Sequence, residues 1–370
     1  MCFLVYVLLH AVFIAATEDV VSGLRGGLGW AIWICLCFYF VKGDPSSSKH
    51  ILLGTFIFTG AINAVSLLIE HSFGIQIQPT TSTLPFTLFP DYIYRSEGIG
   101  INNGVSSTQL MIGAIVCVYY LNHDSLKNNT VKLVAYSAYG LILMGLWLST
   151  IRGAILSFAI GFLLLMLLSK DNLREKVSIL IFTLVITVLT IEIFFANHFL
   201  NYLGFILQAM TPNDPGNLHR LEVWNDLLNE SSLTVDPLGE KIILLKNDSF
   251  GWFSLFGRGA GSLSYVAPHI GSTQAIESSY LRLWLELGFI GAFVFLVMIV
   301  ALLKKLATRT SVYRCDRVFF LVLFLMINFR AAHNDVLQTW LGGFYYWSII
   351  ALCVGLVNRS GECQPNLKQG

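Results

Sequence analysis

The amino-acid sequence predicts an all-α polytopic membrane protein, with about ten transmembrane helices and a large extracytoplasmic loop domain. Apolar residues make up 55% of the 370 residues and charged residues only 12%, whereas an average soluble domain has about 25% charged residues. The mean hydropathy is +0.69, and the apolar runs do not alternate as the strands of a barrel would. This composition excludes a disordered chain, a disulfide scaffold and an ordinary cytosolic enzyme.

Ten apolar segments account for the predicted helices, because a spanning helix needs about 20 mostly apolar residues. The first begins at Met1 and lacks the cationic start of a secretory signal, so we interpret it as a true span. The ninth is short, and we expect it to extend towards a polar stretch at 330–335. The predicted spans are 1–16, 27–41, 51–70, 104–121, 133–149, 153–169, 177–196, 279–303, 318–329 and 338–357.

Lysine and arginine predict the orientation, because short cytoplasmic loops carry the excess of positive charge. With the N-terminus inside, the inner segments hold 14 of these residues and the outer segments 9, and the inner loop at 304–317 alone holds five. Both ends are therefore predicted to be cytoplasmic. The predicted regions are N-terminal helices over 1–196 with an outer loop at 71–103, an extracytoplasmic loop domain at 197–278, C-terminal helices over 279–357 and a tail at 358–370.

The sharpest candidate for chemistry is the segment 149–154, which reads Ser-Thr-Ile-Arg-Gly-Ala and is predicted to form a tight outer turn. A charge costs roughly 2.5–3.5 kcal/mol at a bilayer centre, so an arginine between two spans indicates function or pairing. The guanidinium of Arg152 offers a planar bidentate fork for phosphate, and Gly153 allows close approach of a ligand. The alternative is that Arg152 only reaches the lipid headgroups.

Three further basic segments lie in the predicted outer loops. Arg95 precedes the fourth span in the segment 95–103, whose glycines and asparagines suit a turn. Arg220 and Trp224 lie on a predicted amphipathic surface helix at 217–229. Arg258 lies in a glycine-rich loop whose backbone N–H groups can face an anion. Taken singly, each segment also suits an ordinary solvated loop or helix.

Glu277 lies at the predicted outer mouth of the eighth span, in the sequence Glu-Ser-Ser-Tyr-Leu-Arg. Partial burial there would favour its use as a general base, although a carboxylate also suits a helix N-terminus. The sequence has no P-loop, no Asp-x-Asp pair and no His-Glu-x-x-His motif. The polar segment 333–335, near Arg330, is predicted to be an outer loop between the last two spans; contact with the acceptor stays open, but we favour a solvated connector.

Taken together, these segments resemble the family of bacterial O-antigen polymerases and O-antigen ligases. The likeness covers about 95–303, and the order and spacing of its motifs are more specific than any motif alone. Four motifs carry it: Arg-x-x-Gly…Asn-Asn at 95–103, Ser-Thr-x-Arg-Gly-Ala at 149–154, Arg220 with Trp224, and Gly257-x-Gly followed by Tyr-Leu…Glu-x-Gly-x-x-Gly at 280–291.

The resemblance implies a GT-C-like membrane glycosyltransferase that works at the periplasmic face of the bacterial inner membrane without a metal or other cofactor. Its implied partners are an undecaprenyl-pyrophosphate-linked glycan and membrane lipids, with a chain-length regulator as a further candidate and no nucleic acid, for which a net charge of +1 provides no field. Ligase relatives commonly have a histidine before the Tyr-Leu pair. This chain has Glu277 in that region, which favours a polymerase.

The resemblance also implies roles for individual residues. Arg152 and Arg220 would stabilise the leaving pyrophosphate, while Glu277 would orient or deprotonate the acceptor hydroxyl. The implied substrate-binding residues are Arg95, Arg258, Arg282, Tyr280 and Trp224.

Three alternatives remain open from the sequence. An O-antigen ligase differs only in its acceptor, the lipid A–core. A related enzyme would hold a metal through Glu18 and Asp19 in the first outer loop. A transporter of lipid-linked glycans is favoured less, because transporters often have broken helices and charges at the midplane, whereas the charges here cluster at predicted outer helix ends.

Overall fold

The computed structural model describes just over half of the chain. Its described residues are 3, 5–9, 31–35, 45–74, 99, 103–122, 128–169, 173–195, 199–208, 211, 214, 218, 221, 255, 257, 278–308, 314–333, 337 and 340–359. Regular structure in these residues is helical, with no strand among them. The chain is thus an all-α membrane protein over the part that is described, which confirms the coarse fold class.

Nine helices carry the described part of the fold. They are α1 Pro45–Phe73, α2 Asn103–Asn122, α3 Asn129–Leu148, α4 Arg152–Leu168, α5 Leu173–Phe194, α6 Phe199–Gln208, α7 Ser279–Thr308, α8 Arg314–His333 and α9 Trp340–Arg359.

Five of these helices are long and apolar enough to cross a membrane: α1, α2, α3, α5 and α7. They coincide with the third, fourth, fifth, seventh and eighth predicted spans. Helix α4 and the apolar part of α9 are shorter, while α8 is helical where the ninth span is predicted. Of the first two predicted spans, only residues 3, 5–9 and 31–35 are described, and these are helical. The full count of ten spans therefore stays a prediction.

The chain divides into two compact units. The smaller unit comprises Met1–Tyr39, Pro215–Lys304 and Ala331–Trp347, and the larger unit comprises Phe40–Asp214, Lys305–Arg330 and Ser348–Gly370.

Helix α2 is the centre of the larger unit and is almost wholly buried, with α1, α3 and α4 packed against it. Small residues allow this close packing, as is usual between helices in lipid. A Cβ on Gly60 of α1 would lie 3.5 Å from the Cα of Gly113 of α2. Helix α5, by contrast, exposes most of its apolar side chains, which suits a lipid-facing position.

Two ion pairs join helix ends in the larger unit. Lys49 pairs with Asp316 at 2.7 Å, and Lys132 pairs with Glu175 at 2.9 Å. The sequence places all four of these residues on the inner side. Which side faces the cytoplasm stays a prediction.

One prediction tests this close packing. A Cβ at Gly145 of α3 would lie 2.7 Å from the Cβ of Ala64 and 2.8 Å from its backbone Cα. Gly145→Ala should therefore push α3 and α1 apart and lower the free energy of unfolding by about 1–3 kcal/mol. The measurement is thermal unfolding of the purified protein in detergent. Gly54→Ala is the matched control, because nothing lies within 4 Å of its Cβ position, and it should leave the transition unchanged or raise it.

Candidate functional site

The candidate site in the larger unit begins at the turn between α3 and α4. Helix α3 ends at Leu148 and α4 begins at Arg152, so the tight turn is limited to 149–151, and the rest of the segment predicted as a turn, 152–154, begins α4. Thr150 has a φ of 53°, which a β-branched side chain rarely adopts. The Ser149 hydroxyl donates to the carbonyl of Leu146 at 2.7 Å and holds the end of α3 in place. A strained backbone of this kind is often kept at functional sites.

Arg152 is fixed on two sides. Its Nη1 and Nη2 donate to the two carboxylate oxygens of Asp214 at 2.5 and 2.9 Å, which is a bidentate ion pair. Its guanidinium also lies over the Phe205 ring, 4.7 Å from the centroid. Cation–π contacts of this kind contribute roughly 0.5–2 kcal/mol. Arg152 thus has a defined partner, and the interpretation as a side chain that only reaches lipid headgroups does not describe it.

Helix α6 and the segment after it carry the two partners of Arg152. The Tyr202 hydroxyl donates to the Trp147 carbonyl at 2.7 Å, which fastens α6 to the end of α3. Phe205 lies one turn further along α6. The backbone N–H of Asp214 donates to the carbonyl of Thr211 at 3.3 Å, in a turn that follows the helix. Asp214 is 1% exposed, and the bidentate pair with Arg152 compensates for the burial of its charge.

Arg330 is a buried cation of the larger unit, so the interpretation of this segment as a solvated connector is wrong for Arg330. Helix α8 continues through it to His333, and Arg330 is 3% exposed. Its guanidinium donates to the Ser107 hydroxyl at 3.1 Å and to the Thr108 hydroxyl and the Gly104 carbonyl at 3.3 Å. These contacts compensate for removing the charge from water, which a connector in solvent would not require.

Helices α4 and α8 meet at Gly161, where a Cβ would overlap the side chain of Met326. With a rise of about 1.5 Å per residue, Arg152 lies about 13 Å and Arg330 about 6 Å from this crossing, each towards the predicted outer end of its helix. With the predicted orientation of the spans, Arg152 and Arg330 are expected to lie at the same end of the larger unit.

The smaller unit holds a break in helix α7. Gly288 has φ 67° and ψ −177° within an otherwise helical segment. The backbone of Gly257, with a φ of 80°, approaches so closely that an added Cβ would overlap the carbonyl of Glu286 and the N–H of Gly288. The Tyr6 hydroxyl donates to the Leu287 carbonyl at 2.9 Å. A broken helix inside an apolar span is a common feature of ligand sites in membrane proteins.

Two charged side chains lie on α7 just before this break. Glu286 is fully buried and pairs with Arg282 at 3.3 Å, four residues earlier on the helix. Tyr280 packs its ring against Phe295, with centroids 6.2 Å apart. Placing ionisable side chains within a membrane span costs free energy, so a pair inside a predicted span is a candidate for function.

Three of the eight predicted site residues lie in the described part of the chain. Arg152 belongs to the larger unit, while Tyr280 and Arg282 belong to the smaller one. Their roles, and the convergence of the arginines on one diphosphate, stay predictions. Five predicted residues lie outside the described residues: Glu277, Arg220, Arg95, Arg258 and Trp224.

Asp214, Arg330 and Glu286 were missed as site candidates. Asp214 precedes Pro215 and gives no sequence signal beyond that of a turn. Glu286 stands inside a motif and could have been found, because a carboxylate within an apolar run is rare.

The described residues contain no group of three or more His, Cys, Asp or Glu side chains that could hold a metal ion. Glu18 and Asp19, the alternative metal ligands, lie outside the described residues.

Comparison with protein-family models, with curated proteins and with solved structures finds no match to this chain.

Proposed function

We propose that this chain is a membrane glycosyltransferase, an O-antigen polymerase that joins repeat units carried on undecaprenyl pyrophosphate. The observation that supports it best is the geometry of Arg152. This guanidinium is held by a carboxylate and an aromatic ring at one end of a membrane helix bundle. A fixed cation of this kind suits a phosphate ligand, because planar forks bind phosphate in a bidentate manner.

The proposed reaction forms one bond and breaks another at the anomeric carbon of the donor sugar. The acceptor hydroxyl oxygen bonds to that carbon, and the bond from the carbon to the pyrophosphate oxygen breaks. Negative charge grows on the leaving pyrophosphate, and fixed cations in a low-dielectric site stabilise it strongly. Arg152 has this role in the proposal, together with Arg220. Glu277 receives the proton of the acceptor hydroxyl.

The glycan ladder of a deletion strain tests the proposal. Loss of a polymerase should leave single repeat units on the lipid A–core, and the intact gene should restore the ladder. Loss of a ligase would leave no repeat unit on the core. A normal ladder in the deletion strain would contradict both enzyme functions.

A lipid-linked glycan transporter is the second candidate, and the break at Gly288 favours it. Discontinuous helices with nearby buried charges are typical of transporter sites. The two functions separate in a single-compartment assay. Purified protein in detergent should extend lipid-linked repeat units if it is a polymerase, whereas a transporter should give no new glycosidic bond there.

A further inference from the structure

The contacts of Arg152 leave one of its edges for a ligand. A guanidinium has five N–H donors, and the bonds to Asp214 use one from each of Nη1 and Nη2. Phe205 covers one face of the group. Within the described residues, the Nε–H and the remaining Nη donors make no hydrogen bond. The Nε–H and the N–H of the adjacent Nη lie on one edge and form a second fork with the spacing that a phosphate accepts.

The buried hydroxyl of Thr150, two residues before Arg152, is another donor that makes no hydrogen bond within the described residues. The side chain is 2% exposed, and its Oγ1 has no hydrogen-bond partner among the described residues. A buried hydroxyl without a partner costs roughly 1–3 kcal/mol, so such a group calls for an explanation. A phosphate oxygen would accept a hydrogen bond from it.

We propose that Thr150 and the second fork of Arg152 form a binding site for one phosphate group, and that Asp214 is the positioning residue that orients this fork. That this phosphate group belongs to a diphosphate rests on the proposed function. The site is new in two respects: it adds a neutral hydroxyl donor, and it gives a buried carboxylate a role beside an anion.

The sign of the effect of Asp214 distinguishes positioning from competition. A carboxylate beside an anionic ligand repels it, so removing the charge alone should tighten binding. If Asp214 instead orients the fork, Asp214→Asn should weaken binding, because an amide oxygen accepts only one of the two N–H groups and leaves the guanidinium less fixed.

The test measures binding of inorganic pyrophosphate to the full-length purified protein in detergent by titration calorimetry. We expect Asp214→Asn and Arg152→Lys each to raise Kd about tenfold, by loss of the oriented fork. Thr150→Val should raise Kd about fivefold. Thr150→Ser should keep the Kd of the unmodified protein, because serine keeps the hydroxyl. The thermal unfolding transition of each variant shows whether it is folded.

Lys132→Ala is the control, because it removes the cation of an ion pair at the predicted inner end and should leave Kd unchanged. Tighter or unchanged binding in a folded Asp214→Asn protein, an unchanged Kd in Thr150→Val, or no binding by the unmodified protein would each overturn the inference. The glycan ladder is independent of these results. A normal ladder in the deletion strain would reject the polymerase even if pyrophosphate binds as expected.

Discussion

For the proposed polymerase, Arg152→Lys is expected to reduce turnover about 100-fold and to leave single repeat units as the main product, because removing one donor to a developing anion typically costs about 10²–10³ in rate. Lysine keeps the positive charge and can still pair with Asp214. It loses the planar fork that would hold carboxylate and phosphate at the same time. The measurements are turnover of lipid-linked repeat units in detergent and the glycan ladder in a complemented deletion strain.

Arg152→Ala should have a second effect, on stability. It would remove the cation of the bidentate pair that Arg152 makes with Asp214, which is 1% exposed. Breaking one side of a buried ion pair costs about 3–5 kcal/mol. The double variant Arg152→Ala, Asp214→Ala removes both charges. It should regain most of the free energy of unfolding that Arg152→Ala loses, but it should not regain turnover. Recovery of turnover in the double variant would show that Arg152 only neutralises Asp214. Lys132→Ala, which breaks an ion pair at the predicted inner end, should keep full turnover.

Sequence patterns predicted the turn and its arginine because both depend on local features. Two apolar runs separated by three residues leave room only for a tight turn, and a single charge there stands out. The partner of that charge was not predictable in the same way. Asp214 pairs with Arg152 across 62 positions, through a helix that only the folded chain places beside the end of α3.

Arg330 shows a limit of hydropathy. The apolar window ends near Phe329, so hydropathy alone does not show how far the short ninth span extends into the polar stretch at 330–335. The helix continues because the backbone of a membrane segment must satisfy its own hydrogen bonds. Its guanidinium is accommodated by hydroxyl and carbonyl groups at the start of α2, more than 220 residues earlier. No spacing rule within the sequence connects those two segments.

The break at Gly288 illustrates a third situation. The sequence analysis singles out the glycines at 257–261 and in the Glu-x-Gly-x-x-Gly pattern. It does not predict that Gly257 and Gly288 contact each other. Glycine was expected to allow close approach of a ligand's anion to the backbone at 257–261. At Gly257 the structure has another segment of backbone instead, at Glu286 and Gly288. The missing Cβ of glycine allows the close approach in both cases, but the group that approaches is backbone and not a ligand.

Gly257→Ala is accordingly expected to lower the stability of the smaller unit strongly. A positive φ costs an alanine about 1–2 kcal/mol. The overlap with the backbone of Glu286 and Gly288 adds about 1–3 kcal/mol, since backbone atoms cannot turn aside as a flexible side chain can. The expected loss in the free energy of unfolding is therefore about 2–5 kcal/mol, and it is measured by denaturant unfolding in detergent.

Gly74→Ala separates the two causes. Gly74 has a φ of 62°, close to the 80° of Gly257, but nothing lies within 4 Å of its Cβ position. It should therefore lose only the conformational part, about 1–2 kcal/mol. Equal losses in the two variants would mean that backbone conformation alone requires glycine at 257 and that its packing against the break in α7 contributes nothing. A larger loss at 257 would make this contact part of what keeps α7 broken beside the buried pair of Glu286 and Arg282.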